Sequence, residues 1–180
     1  MTDSAHPHIE AADLRLRAVE PGDAELLFLT ENDTEAWPDS DTVAPYSRHV
    51  LKEYAEAYRA DPFTEGQLRL IAEERATGKP VAIVDLYDIS LRHRHAFVAL
   101  YVLPIHRRQG CGSAALNALA YYAKRHLGLK SLCAKVRRDN TPSQKLFRSC
   151  GYQHAGTLSS WCFTPAGFVD ILLFQTVLGN

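Results

Sequence analysis

The stretch of this sequence that most constrains its fold runs from Ala96 to Ala114, where an apolar segment, a basic loop and two glycines follow without a break. His95 to Leu103 is strongly apolar and reads as a buried strand, which Pro104 stops. Arg107, Arg108 and Gln109 come next. Gly110-Cys111-Gly112 then opens a helix over Gly112 to Leu127. Leu116, Leu119, Ala120, Ala123 and Leu127 form its apolar stripe, and Gly128 marks its end. A strand that runs through a short loop into a helix leaves the first helical amides without acceptors and sets the positive end of the helix dipole beside them. Gly110 and Gly112 let the backbone take positive φ or approach a ligand closely. Arg107 and Arg108 add fixed positive charge. Backbone N–H groups, dipole and arginines together predict a cradle for a pyrophosphate.

Gly-x-Gly alone is a weak signal, since a glycine turn can simply start a helix. A dinucleotide-binding fingerprint would place the glycines directly after the strand and an acidic residue about 20 positions on. Here several residues intervene, Ala115 stands at the third glycine, and no Asp or Glu lies between Gly110 and Arg138. A Walker A loop would need Gly-Lys-Ser/Thr, which is absent.

The rest of the chain reads as one α+β domain over residues 13–180, preceded by a loose tail at 1–12. Leu14 to Ala18 alternates as a strand. Pro21-Gly22-Asp23 opens a helical stretch, and Ser47 to Ala60 is a second helix. Gln67 to Glu73 and Val81 to Ile89 are strands joined by the turn Thr77-Gly78-Lys79-Pro80. Ser131 to Val136 is a strand, and Asn140 or Thr141 caps a short helix ending before Gly151. Tyr152 to Leu158 and Phe168 to Leu178 are the last strands. A chain of 180 residues can bury a core of its own. Its longest apolar runs are too short to span a bilayer, its start carries no signal-peptide pattern, and its four cysteines lack Cys-x-x-Cys spacing, which suits the cytoplasm.

Net charge is −1, but it is distributed unevenly. Residues 1–104 hold 10 basic and 19 acidic side chains, whereas residues 105–148 hold 10 basic and one acidic. The plain alternative is two solvated faces of opposite sign. The basic block lacks the interleaved aromatics of a nucleic-acid platform, so no nucleic-acid partner is expected.

Arg107-Arg108-Gln109-Gly110-Cys111-Gly112, with Val102 and Pro104 ahead of it, resembles the acetyl-CoA signature Arg/Gln-x-x-Gly-x-Gly/Ala of the GNAT superfamily of N-acetyltransferases. Asn140 to Tyr152 resembles that family's second signature, an Asn, an amphipathic helix and Gly-Tyr/Phe. Gly78-Lys79-Pro80-Val81 and the run Asp85 to His95 place the likeness nearest the spermidine and ribosomal-protein N-terminal acetyltransferases. The resemblance implies a GNAT fold: a central mixed, mostly antiparallel twisted sheet of about seven strands flanked by helices. It implies that acetyl-CoA is held by Arg107, Arg108, Gln109, Gly110, Cys111, Gly112 and Ser113. It further implies that Val102 and Leu103 bond the pantetheine arm, that a backbone N–H there, assigned to Leu103, stabilises the oxyanion, and that Asn140 and Phe147 line the arm. Many relatives carry Tyr at the Phe147 position, where its hydroxyl protonates the leaving thiolate; Phe cannot do so.

Acetylation by direct attack needs a neutral amine, and a carboxylate is the expected base. Asp85 interrupts an apolar strand and shares a face with Ile83 and Tyr87, aimed at a cleft beside the acetyl-CoA strand; a surface aspartate is its plain alternative. Glu31, Asp33 and Glu35, with Trp37, lie on a segment that lines the acceptor pocket in relatives. They would draw in a small cationic amine or a peptide N-terminus, or else form a solvated loop. His93 and His95 lie among arginines with no further ligand at zinc-like spacing, so no metal is expected. Cys111 lacks a histidine partner for a nucleophilic role. These readings add up to an acetyl-CoA-dependent N-acetyltransferase, with a non-catalytic acyl-CoA-binding module as the alternative. No membrane partner is expected, and a homodimer stays open.

Overall fold

A computed structural model describes residues 9–11 and 13–179. They form two compact units interleaved along the chain. The first gathers the residues up to Ala18, Asp61–Leu132 and those from Val177 onward; the second gathers Val19–Ala60 and Cys133–Thr176. The architecture is α+β, with eight strands among the described residues where about seven were expected.

In the first unit, β1 (Ile9–Ala11), β2 (Leu14–Ala18), β3 (Leu68–Glu74), β4 (Pro80–Ser90) and β5 (His95–Val102) pair antiparallel, each with the next. Ile9–Ala11, expected in a loose tail, instead pair with Leu14–Leu16. Residues 1–8 and 12 of that tail lie outside the described residues. A buried carboxylate fixes the β2–β3 register. Glu73 is only 2% exposed, and both Arg15 and Arg17 bond to it, the latter through Nε at 2.6 Å. Burying a carboxylate is costly unless such partners neutralise it. A one-residue slip would turn both arginines to the opposite face.

Two short elements escaped the sequence reading. One is β1; the other is a four-residue helical turn at Pro62–Glu65. Asp61 caps that turn through bonds from the Phe63 and Thr64 amides, and Gly66 ends it at φ 65°. The unit's long helix spans Cys111–Arg125 and packs against β2, β4 and β5. Gly112, Ala115, Ala118 and Ala123 are buried with Leu116 and Leu119, and these small side chains let the helix approach the strands closely. Its end is closed by the Leu129 amide bonding the Ala123 carbonyl at 2.9 Å, with Gly128 at φ 62°.

Numbered in chain order, the helices are α1 (Ala24–Glu31), α2 (Arg48–Ala57), α3 (Pro62–Glu65), α4 (Cys111–Arg125) and α5 (Thr141–Ser149). In the second unit α1 packs on α2. Ser47 caps α2 through its Oγ, and Arg48 both pairs with Glu25 and lies 3.7 Å over the Phe28 ring. α2 ends at Ala57, three residues short of the expected Ala60. The second unit also holds most of β6 (Ser131–Arg137), together with α5, β7 (Gln153–Thr164) and β8 (Gly167–Val177). β7 and β8 form an antiparallel hairpin, broken by a bulge between Leu158 and Cys162. At that bulge Ser160 takes φ 49° and donates its amide to Asp170.

Candidate functional site

The site begins at the last residue of β5. The Leu103 amide donates to the Val81 carbonyl at 2.9 Å, which continues the β4–β5 ladder by one bond. Leu103 was the expected oxyanion donor, but its N–H is already engaged there. On an antiparallel ladder a residue that bonds its partner strand is followed by one whose N–H and C=O point the other way. Val102, paired with Ala82 just before that bond, therefore directs both main-chain groups to the edge of β5 that faces away from β4. Its carbonyl accepts a bond from Arg107 Nε at 3.0 Å, and the Arg107 guanidinium lies 5.6 Å from the Tyr101 ring centre.

Pro104–His106 makes one turn of 3₁₀ helix, and Gln109 Nε2 braces the loop by donating to the Ile105 carbonyl at 2.8 Å. Arg108 takes φ 60° and Gly110 φ 83°. Positive φ is strained at an arginine and natural at a glycine. The first bond within α4 runs from the Ala114 amide to the Gly110 carbonyl at 3.0 Å. The amides of Cys111, Gly112 and Ser113 precede it and have no acceptor in their own helix. A Cβ built on Gly110 would meet nothing within 4 Å, so open space lies beside the turn. Arg107 and Arg108 are exposed next to it. Free amides, a dipole end of a 15-residue helix, open space and adjacent guanidinium charge fit a pyrophosphate.

Asp85 differs from expectation. β4 and β5 pair continuously from Ala82–Val102 to Tyr87–Phe97, so no cleft separates them, and Asp85 stands opposite Ala99. Arg69 on β3 grips its carboxylate at 2.8 and 3.0 Å. Both oxygens of this carboxylate are thus occupied by one guanidinium. The aspartate in an apolar strand is therefore explained by a cross-strand ion pair.

In the second unit, Asn140 Oδ1 accepts from the Ser143 amide at 3.1 Å, capping α5, and its Nδ2 donates to Asp39 at 3.2 Å. Both ends of that side chain are engaged. Phe147 is buried, with its ring 5.0 Å from that of Tyr152 and 6.5 Å from that of Phe174. The Tyr152 hydroxyl is buried with no hydrogen-bond partner among the described residues, and burial pushes its pKa well above the ordinary tyrosine value. Glu31 ends α1, and Trp37 Nε1 donates to its carbonyl at 2.9 Å, closing the acidic loop between them. Asp33 Oδ1 accepts from the Glu35 amide at 3.1 Å, and Glu35 is exposed. Arg137 meets Asp139 at 2.9 Å and Asp39 at 3.7 Å, so this arginine is tied into ion pairs. Burial raises the thiol pKa of Cys133 and Cys150, which keeps both protonated. Among the described residues no group of three or more His, Cys, Asp or Glu side chains could hold a metal ion.

Sequence reasoning named Val102 and Arg107 as cofactor contacts but missed that Val102 turns its main-chain groups away from β4 and that Arg107 bonds its carbonyl. The only signal for either was the parity of the β4–β5 ladder.

Comparison with known proteins gives the same picture. The family described as acetyltransferase (GNAT) domain matches residues 13–153. A curated relative, the uncharacterised N-acetyltransferase YoaA of Bacillus subtilis, is 23% identical over 175 residues, covering 95% of this chain and 97% of its own. The spermidine N(1)-acetyltransferase of Vibrio cholerae is 24% identical over 163 residues, 89% of this chain and 90% of its own. The crystal structure of spermidine N-acetyltransferase from Vibrio cholerae in complex with CoA and spermine superposes with a TM-score of 0.82 at 22% identity, over 92% of this chain and 96% of that one. That likeness shows a shared fold. No helix among the described residues is long and apolar enough to cross a membrane.

Two substitutions probe the site. Gly110→Asp places a carboxylate and an L side chain at positive φ beside the amides; CoA affinity measured by calorimetry should fall by about 100-fold or more, with the fold retained by circular dichroism. Asp85→Asn should lower stability in urea by about 1–3 kcal/mol. Turnover at saturating substrates should stay within about threefold of wild type, whereas loss of a general base would cost about 100-fold.

Proposed function

Because this chain belongs to the GNAT acetyltransferase family and is an N-acetyltransferase that uses acetyl-CoA, we propose that its acceptor is a small cationic amine of the diamine or polyamine type. The observation that carries this reading is the acidic loop of the second unit. Glu31, Asp33 and Glu35 are gathered there on a segment that Trp37 closes through its bond to the Glu31 carbonyl. A loop dense in carboxylates and with exposed Glu35 and Asp41 attracts polycations by long-range electrostatics. The Vibrio cholerae relatives named above act on spermidine or bind spermine, which supports the same class of acceptor. A peptide N-terminus carries a single amine charge and gains less from such a loop.

Acetyl-CoA supplies an activated acetyl group and a thiol leaving group. In this reading the amides of Arg108 through Ser113 hold the pyrophosphate, with Arg107, Arg108 and Gln109 shaping the loop around them. The outward-facing Val102 N–H, in place of that of Leu103, donates to the thioester oxygen and stabilises the oxyanion. Asn140 sets the start of α5, the helix that carries Phe147. With Asp85 committed to Arg69, the attacking amine is drawn from its neutral fraction, and an amine resembling Lys is mostly protonated below pH about 10. The four cysteines are free thiols, and the reading places the reaction in the cytosol. The Vibrio cholerae spermidine N-acetyltransferase has been solved in a dodecameric form, which supports self-association of this chain, at least as a homodimer.

The test is a thiol-release assay with acetyl-CoA and a panel of putrescine, spermidine, spermine and peptides with free N-termini, run from pH 7 to 9. Release should be fastest with the polyamines and should rise with pH by roughly tenfold per unit below the amine pKa. Faster release with the peptides than with every polyamine would overturn the acceptor assignment.

A further inference from the structure

We propose that Arg107 is a positioning residue for the end of β5, acting through Val102, and that it does not grip the phosphates of the cofactor. This inference rests on the reading that acetyl-CoA binds at the end of β5 and the start of α4. The peptide joining Val102 to Leu103 is held from both sides. Its N–H donates to the Val81 carbonyl at 2.9 Å, and its C=O, pointing the opposite way across a trans peptide, accepts from Arg107 Nε at 3.0 Å. The guanidinium also rests 5.6 Å from the Tyr101 ring centre, a further contact with β5. The side chain is thus folded back five residues along the chain. It ties the loop that leads to Gly110 onto the strand that carries Val102. Loss of the tie frees the last peptide of β5 and lets the strand end move relative to the first turn of α4.

The bonded atom is what makes this testable. Nε of arginine is the fourth side-chain atom out from Cα, and glutamine carries an N–H donor, Nε2, at the same place without any charge. Lysine keeps the charge but has a methylene at that place. A positioning role is therefore rescued by Gln, and a phosphate-binding role is rescued by Lys.

The experiment measures binding of CoA and of 3′-phospho-ADP to wild type, Arg107→Ala, Arg107→Gln and Arg107→Lys by calorimetry. The second ligand has the adenosine and all the phosphates of CoA but no pantetheine arm. Arg107→Ala should weaken CoA about tenfold and 3′-phospho-ADP by less than about twofold. Arg107→Gln should return CoA affinity to within about threefold of wild type, and Arg107→Lys should not. Equal losses for the two ligands in Arg107→Ala, or a Lys variant that recovers as well as the Gln variant, would overturn the assignment. A wild-type protein that binds neither ligand overturns the acetyl-CoA reading, and this one with it; binding with the reversed pattern overturns this one alone. Thermal melting of all four proteins shows whether a loss is a folding defect, and because the Gln and Lys variants are compared with each other, such a defect in Arg107→Ala leaves the outcome decisive.

Discussion

The amides of Cys111, Gly112 and Ser113 have no acceptor in their own helix, because the first bond of α4 is made by Ala114 to Gly110. Orphan amides of this kind are stable only if water or a ligand satisfies them. Around them, Gly110 at φ 83° allows the chain to turn into the helix, and the small buried residues of α4 seat it against β2, β4 and β5. The strands are held in turn by ion pairs across them: Glu73 with Arg15 and Arg17, and Asp85 with Arg69. Rigid strands and a close-packed helix keep the amides convergent before any ligand arrives, which lowers the ordering cost of binding.

The charge pattern follows from the same arrangement. The basic block beginning after Pro104 starts where the turn into α4 starts, so a net charge of −1 conceals a locally positive turn. Not every basic residue in that block serves it. Arg137 is paired with Asp139 and Asp39, and Arg138 with Asp170 at 2.9 Å. In the second unit these pairs organise the chain around α5 and the acidic loop. Charge counted along the sequence therefore locates the turn but overstates how many side chains act there.

The long elements were legible because their patterns run over many residues: near-continuous apolar runs for β4 and β5, a 3.6-residue apolar stripe for α4. β1 and α3 were not, since three or four residues carry too little pattern. At the site, the turn into α4 was legible from the glycines and the strand–loop–helix order. Asp85 was legible as a charge inside an apolar strand, but its partner Arg69 lies 16 residues away on a neighbouring strand, and only the β3–β4 register brings them opposite. That the Leu103 N–H is engaged by Val81 was not legible, because the hydrogen-bonding parity of an antiparallel ladder leaves no trace in residue type. Asn140 was one of two residues, with Thr141, read as the cap, while its bond to Asp39, 101 residues earlier, could come only from tertiary structure.

The central claim is that the first turn of α4 and the outward-facing end of β5 receive acetyl-CoA. Residue-resolved amide hydrogen exchange with and without saturating CoA tests it most directly. The account predicts that exchange slows at Cys111, Gly112, Ser113 and Val102 when CoA is added, while Leu103, already bonded to Val81, changes little. CoA binding that leaves the exchange of Cys111, Gly112 and Ser113 unaltered would contradict it.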